Sequence, residues 1–228
     1  MLNTEISQIP LESSVSIEKG DALVVVDIQN DFLPGGALPV EKGDEIINDV
    51  NDLIEKFYFE ERIIVFTQDW HPKNHQSFAS QHTGKAPYDS FDAPPLGPVL
   101  WPDHCVQGTP GAEFASNLNV QRGHLIIRKG YHLNIDSYST FIENDHVTST
   151  GLEGYLRGLK VSRVFLCGLA LDYCVFYSVI DAKTLGFEVM CIIDLTRPVG
   201  APEDSISNAL QKMVENNVLF TSNSKILG

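Results

Sequence analysis

A carboxylate, an ammonium and a thiol recur in this chain at one kind of address. Asp27 opens DIQNDF directly after the apolar run 22–26, Lys129 closes HLIIRK at 124–129, and Cys174 ends LDYC a short turn beyond RVFLCG at 163–168. In an open parallel α/β sheet, the carboxyl ends of the strands border the crevice where ligands bind. Three such strand ends bring together a proton carrier, a cation that favours a thiolate, and a nucleophile, which is the set of a cysteine hydrolase. Cys174 also opens a helix, so backbone N–H groups face its sulfur. That placement predicts a lowered thiol pKa and an oxyanion site. Taken singly, each residue has an ordinary reading: Asp27 as a turn cap, Lys129 as a solvated strand end, Cys174 as packing. The shared address favours chemistry.

A second constellation could hold a metal. Asp69 and His71 stand two apart at the end of another apolar strand, and in extended backbone residues i and i+2 point the same way. His104, in WPDHC, supplies a third donor. One carboxylate and two imidazoles with open positions suit one divalent ion, zinc, iron or manganese, carrying waters. His75 and His82 are spare candidates. A single loop histidine is better read as bonding backbone, but the three residues together favour a metal. Phe32, Trp70, Trp101, Tyr138 and Tyr173 neighbour these polar groups in sequence. They could hold a flat apolar ring, with core packing as the alternative.

The elements that must position these residues are read from periodicity. Six strands are expected near 22–27, 62–68, 124–129, 163–168, 188–194 and 218–222, with helices over 44–57, 152–159, 173–185 and 203–216. Strands alternating with helices predict a mostly parallel six-stranded sheet in a three-layer α/β/α fold. Residues 1–19 read as an N-terminal extension and 20–228 as one domain. Residues 69–123 are too long for an ordinary connection. They hold both tryptophans and four of the seven histidines, and read as a site-building loop.

Composition narrows the classes. The 228 residues carry 43% hydrophobic and 20% charged side chains, as soluble globular proteins do, with no stretch apolar enough for a membrane helix. A net charge of −14, with 16 basic residues and no long basic run, argues against nucleic acid and anionic membranes. Its acids are expected chiefly on a solvated helix face around 44–61. Four cysteines, at 105, 167, 174 and 191, form no CxxC pair, which predicts a reducing compartment with Cys167 and Cys191 as core fillers. The N-terminus lacks the pattern of a signal peptide, so the cytoplasm is expected. No GxGxxG follows the first strand and no phosphate loop occurs, which argues against a nucleotide-binding module.

Read together, DIQNDFLPGGAL from Asp27, QDWHPKNHQSF from Gln68, LWPDHCVQGTPG from Leu100, RKG at Arg128, DSYSTF from Asp136 and GLALDYCV from Gly168 resemble the successive motifs of nicotinamidases, in the isochorismatase-like cysteine hydrolase superfamily. The resemblance spans about residues 20–222. DWH with WPDHC is its sharper part, because that metal motif separates nicotinamidases from metal-free relatives. The resemblance implies an amidohydrolase converting nicotinamide to nicotinate and ammonia in NAD salvage, with pyrazinamide as a further substrate. It implies Asp27 as proton shuttle, Lys129 as electrostatic partner and Cys174 as nucleophile. Asp69, His71 and His104 would hold a divalent ion, zinc ahead of iron or manganese, against the pyridine nitrogen. Phe32, Trp101, Tyr138 and Tyr173 would border the ring. A cis Leu169–Ala170 peptide would help the N–H groups of Ala170 and Cys174 form the oxyanion hole. Leu171 departs from the threonine of many relatives. Homo-oligomerisation stays open, and so do three rivals: a related amidase or isochorismatase, a metallohydrolase in which Cys174 only packs, and a non-catalytic small-ligand-binding protein.

Overall fold

Alternation of side chains along each strand builds the layers. In the computed structural model, which describes residues 9–227, strand β1 (Asp21–Val26) is buried along its whole length. Leu23 and Val25 face one apolar cluster, Ala22, Val24 and Val26 the other, as a period of two requires. Helix α1 (Ile47–Phe59) covers the first face with Val50, Leu53, Ile54 and Phe57. Helices α2 (Leu152–Gly158), α3 (Phe176–Thr184) and α4 (Ser205–Glu215) cover the second.

The remaining strands are β2 (Ile63–Asp69), β3 (Leu125–Lys129), β4 (Arg163–Leu169), β5 (Glu188–Arg197) and β6 (Leu219–Thr221). All pairings are parallel, in the order β3-β2-β1-β4-β5-β6. Strand order reverses at β1, so the crevice opens between the carboxyl ends of β1 and β4. Registers aim residues at that crevice: Asp69 is paired directly with Lys129 across β2 and β3, and Val26 with Gly168 across β1 and β4.

The expected elements are present, with instructive differences at their ends. The helix expected from Asp44 begins as a tight turn over Asp44–Ile46 before α1. The helix expected from Tyr173 begins as a wide turn over Leu171–Val175 before α3. Strand β5 runs on to Arg197 through a register shift against β4, and a short α5 (Asn223–Leu227) is additional, too brief to show a period. Residues 69–123 are ordered by doubling back on themselves, with bridges His71–Val106, Phe78–Trp101 and Ser90–Val99. Residues 1–8 and Gly228 of the expected extension and domain lie outside the described residues. Leu11 bridges Phe220 and the Glu12 N–H donates to the Phe220 carbonyl at 2.8 Å, which occupies the outer edge of β6.

Gly168 makes the β1–β4 approach possible. Its φ is +109°, and a Cβ there would run into the backbone of Val26. Neither the left-handed conformation nor the clash can be relieved without moving the central strands. Gly168→Ala is therefore expected to cost at least about 2 kcal/mol. In a chain of this size that is a fall of about 4–8 °C in Tm, measurable by thermal denaturation; an unchanged Tm would show that the strands can separate there.

Candidate active site

The DIQNDF segment leaves β1 and folds along the crevice, and its residues take different duties. Asp27, fully buried, adopts φ +46°, a conformation that costs a non-glycine residue energy and is kept where surroundings enforce it. Thr67 Oγ1 donates to Asp27 Oδ1 at 2.5 Å. Gln29 clamps the end of β2, accepting from Asp69 N–H at 2.8 Å and donating to the Asp69 carbonyl at 2.9 Å. Asp31 Oδ2 accepts the N–H of Cys105 at 2.7 Å, which fixes the WPDHC turn. Phe32 closes the run as a buried wall.

Lys129 stands at the centre with no solvent exposure. Its three protons go to Asp69 Oδ1, to the Ser137 carbonyl at 2.9 Å and to Cys174 Sγ at 3.4 Å. Asp27 Oδ2 lies 2.9 Å from the same nitrogen as an ion pair but receives no hydrogen bond. One carboxylate oxygen each of Asp27 and Asp69 and the Cys174 sulfur fall within 4.8 Å of one another. The structure thus brings the three strand-end residues into contact.

Burial and charge then set protonation. Burial alone would discharge Lys129, but the Asp27 and Asp69 carboxylates outweigh it and hold the ammonium well above its ordinary range. Asp27 is pushed up to about 6, chiefly by burial against the pull of Lys129. For Asp69 burial also works upward, yet Lys129, His71 and His104 hold it well below the usual carboxylate range. Cys174 corrects the expectation of a lowered thiol pKa. Burial, aided by the negative charge of Asp27 and Asp69, pushes it well above the ordinary value, with Lys129 pulling only partly back. The resting state is a thiol beside a carboxylate.

The Leu169–Ala170 peptide is cis. The Ala170 carbonyl accepts from Tyr173 N–H at 3.1 Å and Val175 N–H at 3.0 Å, so the turn brackets Cys174. Ala170 and Cys174 both line the cavity. Leu171 is fully buried in the apolar cluster under α3.

Asp69, His71 and His104 also meet. His71 Nδ1 lies 2.8 Å from the Gly130 carbonyl and His104 Nδ1 2.8 Å from the Pro102 carbonyl. A carbonyl only accepts, so both rings carry the proton on Nδ1. Their Nε2 atoms then both face one oxygen, Asp69 Oδ2, at 3.6 and 4.0 Å. This is how metal-ligating histidines are oriented. Burial works downward on His71, but the Asp69 carboxylate beside it raises it above its ordinary value. Gly130 must be glycine, since a Cβ would sit 2.5 Å from the His71 ring. Burial and the neighbouring His71 hold His104 down at about 4, which is the neutral, ligating form. Among the described residues, Lys129 is the only buried lysine or arginine, set among the buried acids Asp27, Asp69, Asp136 and Glu143. Donor set, tautomers and charge all fit a divalent metal.

The spare candidates do not join. Both nitrogens of His75 are taken, by Ser77 Oγ at 2.7 Å and the Ile135 carbonyl at 3.1 Å, and His82 Nε2 faces the Gln76 carbonyl at 2.8 Å. Trp70 is likewise no part of the ring wall; it stacks under the Arg128 guanidinium 3.8 Å from its ring centre. The wall itself is Phe32, Trp101, Tyr138 and Tyr173 around a cavity that also reaches Asp69, His71, His104 and Cys174. Trp101 meets Tyr173 edge-on at 4.8 Å and donates Nε1–H to Tyr138 Oη at 3.1 Å, while Tyr138 donates to the Gly97 carbonyl at 2.7 Å. These bonds hold the rings rigid.

Sequence reasoning missed Gln29, Asp31, Thr67 and Asp136. For the first two the signal was present, because QND between a reactive acid and a wall residue is too polar for a segment leaving a buried strand. Thr67 was legible as the one hydroxyl in an apolar strand, and Asp136 as the acid opening DSYSTF.

The isochorismatase-domain profile matches residues 21–224. The chain belongs to that family. Its relatives there include the nicotinamidases of Acinetobacter baylyi, 47% identical over 90% of this chain and 94% of the relative, and of Escherichia coli, 39% identical over 88% and 94%. Among solved structures, a nicotinamidase/pyrazinamidase of Acinetobacter baumanii superposes with TM-score 0.86 at 43% identity, covering 91% and 98% of the two chains. A protein of L. infantum in complex with nicotinate gives 0.80 at 37%, covering 93% and 98%. A pyrazinamidase of Pyrococcus horikoshii in complex with zinc gives 0.72 at 39%, covering 89% and 99%.

The raised thiol has a direct spectroscopic consequence. Thiolate absorbance in the ultraviolet, taken as wild type minus Cys174→Ala, is expected to be absent at neutral pH and to appear only above the ordinary thiol value of 9.0. A thiolate signal at pH 7 would show that Lys129 and the helix end outweigh burial.

Proposed function

We propose that this chain hydrolyses nicotinamide to nicotinate and ammonia through a thioester on Cys174, a step that returns nicotinamide to NAD synthesis, and that it also deamidates pyrazinamide. The observation that carries this reading is the contact of Lys129 with both Cys174 and Asp27, behind an aromatic-walled cavity that Cys174 lines together with the Asp69, His71 and His104 donors. The relatives and the nicotinate-bound neighbour support the substrate.

Cys174 Sγ attacks the carboxamide carbon while its proton passes to the Asp27 carboxylate, one oxygen of which lies within 4.8 Å of the sulfur. A carboxylate with a pKa of about 6 is ionised at neutral pH yet basic enough to take a proton and return it. Lys129 stays charged and stabilises both the developing thiolate and Asp27. N–H groups of Ala170 and Cys174 receive the oxyanion. Asp27 then protonates the departing nitrogen, ammonia leaves, and a water gives its proton to Asp27 as it attacks the thioester. Cleavage returns a hydrogen to the sulfur, restoring the thiol and releasing nicotinate.

Asp69, His71 and His104 would hold the divalent ion, with zinc favoured by the two-nitrogen, one-oxygen donor set and by the zinc-bound neighbour. When bound, it supplies a Lewis-acidic contact for the ring nitrogen and so orients the carboxamide. Phe32, Trp101, Tyr138 and Tyr173 sandwich the ring and exclude water. The four unpaired, buried cysteines support a reducing, cytoplasmic setting.

The test is ammonia release from nicotinamide by the purified protein. Wild type is expected to be active and Cys174→Ala inactive, while benzamide, which lacks the ring nitrogen, should fall in kcat/KM by up to about 10⁴. Turnover retained in Cys174→Ala would instead favour a metallohydrolase. Benzamide equal to nicotinamide would remove the role of the ring nitrogen.

A further inference from the structure

Asp136 is a buried acid in the cavity wall that the chemistry above leaves without a role. It opens the segment after β3, is 2% exposed, and lines the cavity together with Asp69, His71, His104 and Cys174. One carboxylate oxygen, Oδ1, accepts the N–H of the adjacent Ser137 at 2.9 Å. The other, Oδ2, is fully enclosed and has no hydrogen-bond partner. An enclosed carboxylate oxygen without a donor or a cation is costly, and native proteins rarely leave one so.

Its surroundings say what kind of partner is missing. Asp136, His71 and His75 bring ligand atoms within 4.8 Å of one another, but both His75 nitrogens are engaged elsewhere. His71 in turn gives its Nδ1 proton to the Gly130 carbonyl. No protein donor is left for Oδ2 on that side. The segment is also held in place from several directions: Ser137 O receives Lys129 Nζ at 2.9 Å, Asn144 N–H donates to the Asp136 carbonyl at 2.8 Å, and Asp136 N–H donates to the Pro95 carbonyl at 3.3 Å. The carboxylate is therefore held within 4.8 Å of a His71 ring nitrogen, in the wall of the cavity that Asp69 and His104 also line.

We infer that Asp136 is a positioning residue of the divalent-ion site, its free Oδ2 accepting a hydrogen bond from the hydration shell of the ion that Asp69, His71 and His104 hold. The inference rests on the ion-site reading above. It adds a second carboxylate to the site, one that binds through water and tunes retention of the ion while staying out of the bond-breaking steps. Partners at this remove from a metal commonly change its affinity about tenfold to a hundredfold.

The experiment measures ion affinity directly, by zinc competition with a chromogenic chelator, and by the electron paramagnetic resonance of bound Mn²⁺, for wild type, Asp136→Asn, Asp136→Ala and His71→Ala. Asp136→Asn keeps the size of the side chain and the acceptor for Ser137 N–H. It therefore carries the test even where Asp136→Ala fails to fold. Asp136→Asn is expected to fold normally by circular dichroism, to bind zinc about tenfold to a hundredfold more weakly, and to show an altered Mn²⁺ spectrum. With the ion supplied at saturation, its kcat is expected to return to near the wild-type value. Zinc affinity reduced less than threefold overturns the inference. Unchanged zinc affinity with a raised KM for nicotinamide also overturns it, because Oδ2 would then serve the substrate carboxamide. A wild type that binds no more ion than His71→Ala removes the ion-site reading itself, and this inference with it.

Discussion

The carboxylate of Asp69 is divided, and the rest of the site depends on that division. Oδ1 takes the Lys129 ammonium, and Oδ2 faces the Nε2 atoms of His71 and His104. One buried acid therefore holds Lys129 and offers a donor to the candidate ion site. A lysine with no solvent exposure is tolerable only because two carboxylates sit against it, and removing either would leave buried charge uncompensated. The division also fixes distance: whatever the ion orients must lie one carboxylate away from the nucleophile.

Secondary structure supplies that arrangement before any side chain chooses a rotamer. Parallel pairing of β2 with β3 sets Asp69 beside Lys129. Pairing of β1 with β4 brings the residues after Val26 and Gly168 to the same level. Gln29 then grips both backbone groups of Asp69, so the acid cannot turn to serve one partner at the expense of the other. The protonation pattern follows from the same burial. Burial pushes both the Cys174 thiol and the Asp27 carboxyl upward, the latter to about 6.

Much of this was legible in the sequence, for identifiable reasons. Strand ends show as apolar runs stopped by a polar residue, so Asp27, Lys129 and Cys174 could be placed at one crevice without coordinates. The spacing of Asp69 and His71 survived because a strand end preserves the i, i+2 direction. Trp70 lies between them, and the same alternation sends it to the other side, where Arg128 covers it; adjacency in sequence misled there. The sign of the Cys174 shift was not legible, because it depends on how completely the surrounding loops enclose the sulfur. Gln29, Asp31 and Thr67 stand out as polar residues in apolar surroundings, but they act through hydrogen bonds to residues 40 and 74 positions away, and no local pattern names those partners.

The central claim is that Asp69 serves the ion and Lys129 at once, and Asp69→Asn separates the two duties. The decisive measurement is kcat for nicotinamide in Asp69→Asn at an ion concentration that restores full occupancy, verified by elemental analysis on the same sample. The divided carboxylate predicts weakened ion binding and, at matched occupancy, a kcat still at least about tenfold below wild type, because Lys129 has lost a charged partner. Wild-type kcat at matched occupancy would contradict it and confine Asp69 to the ion.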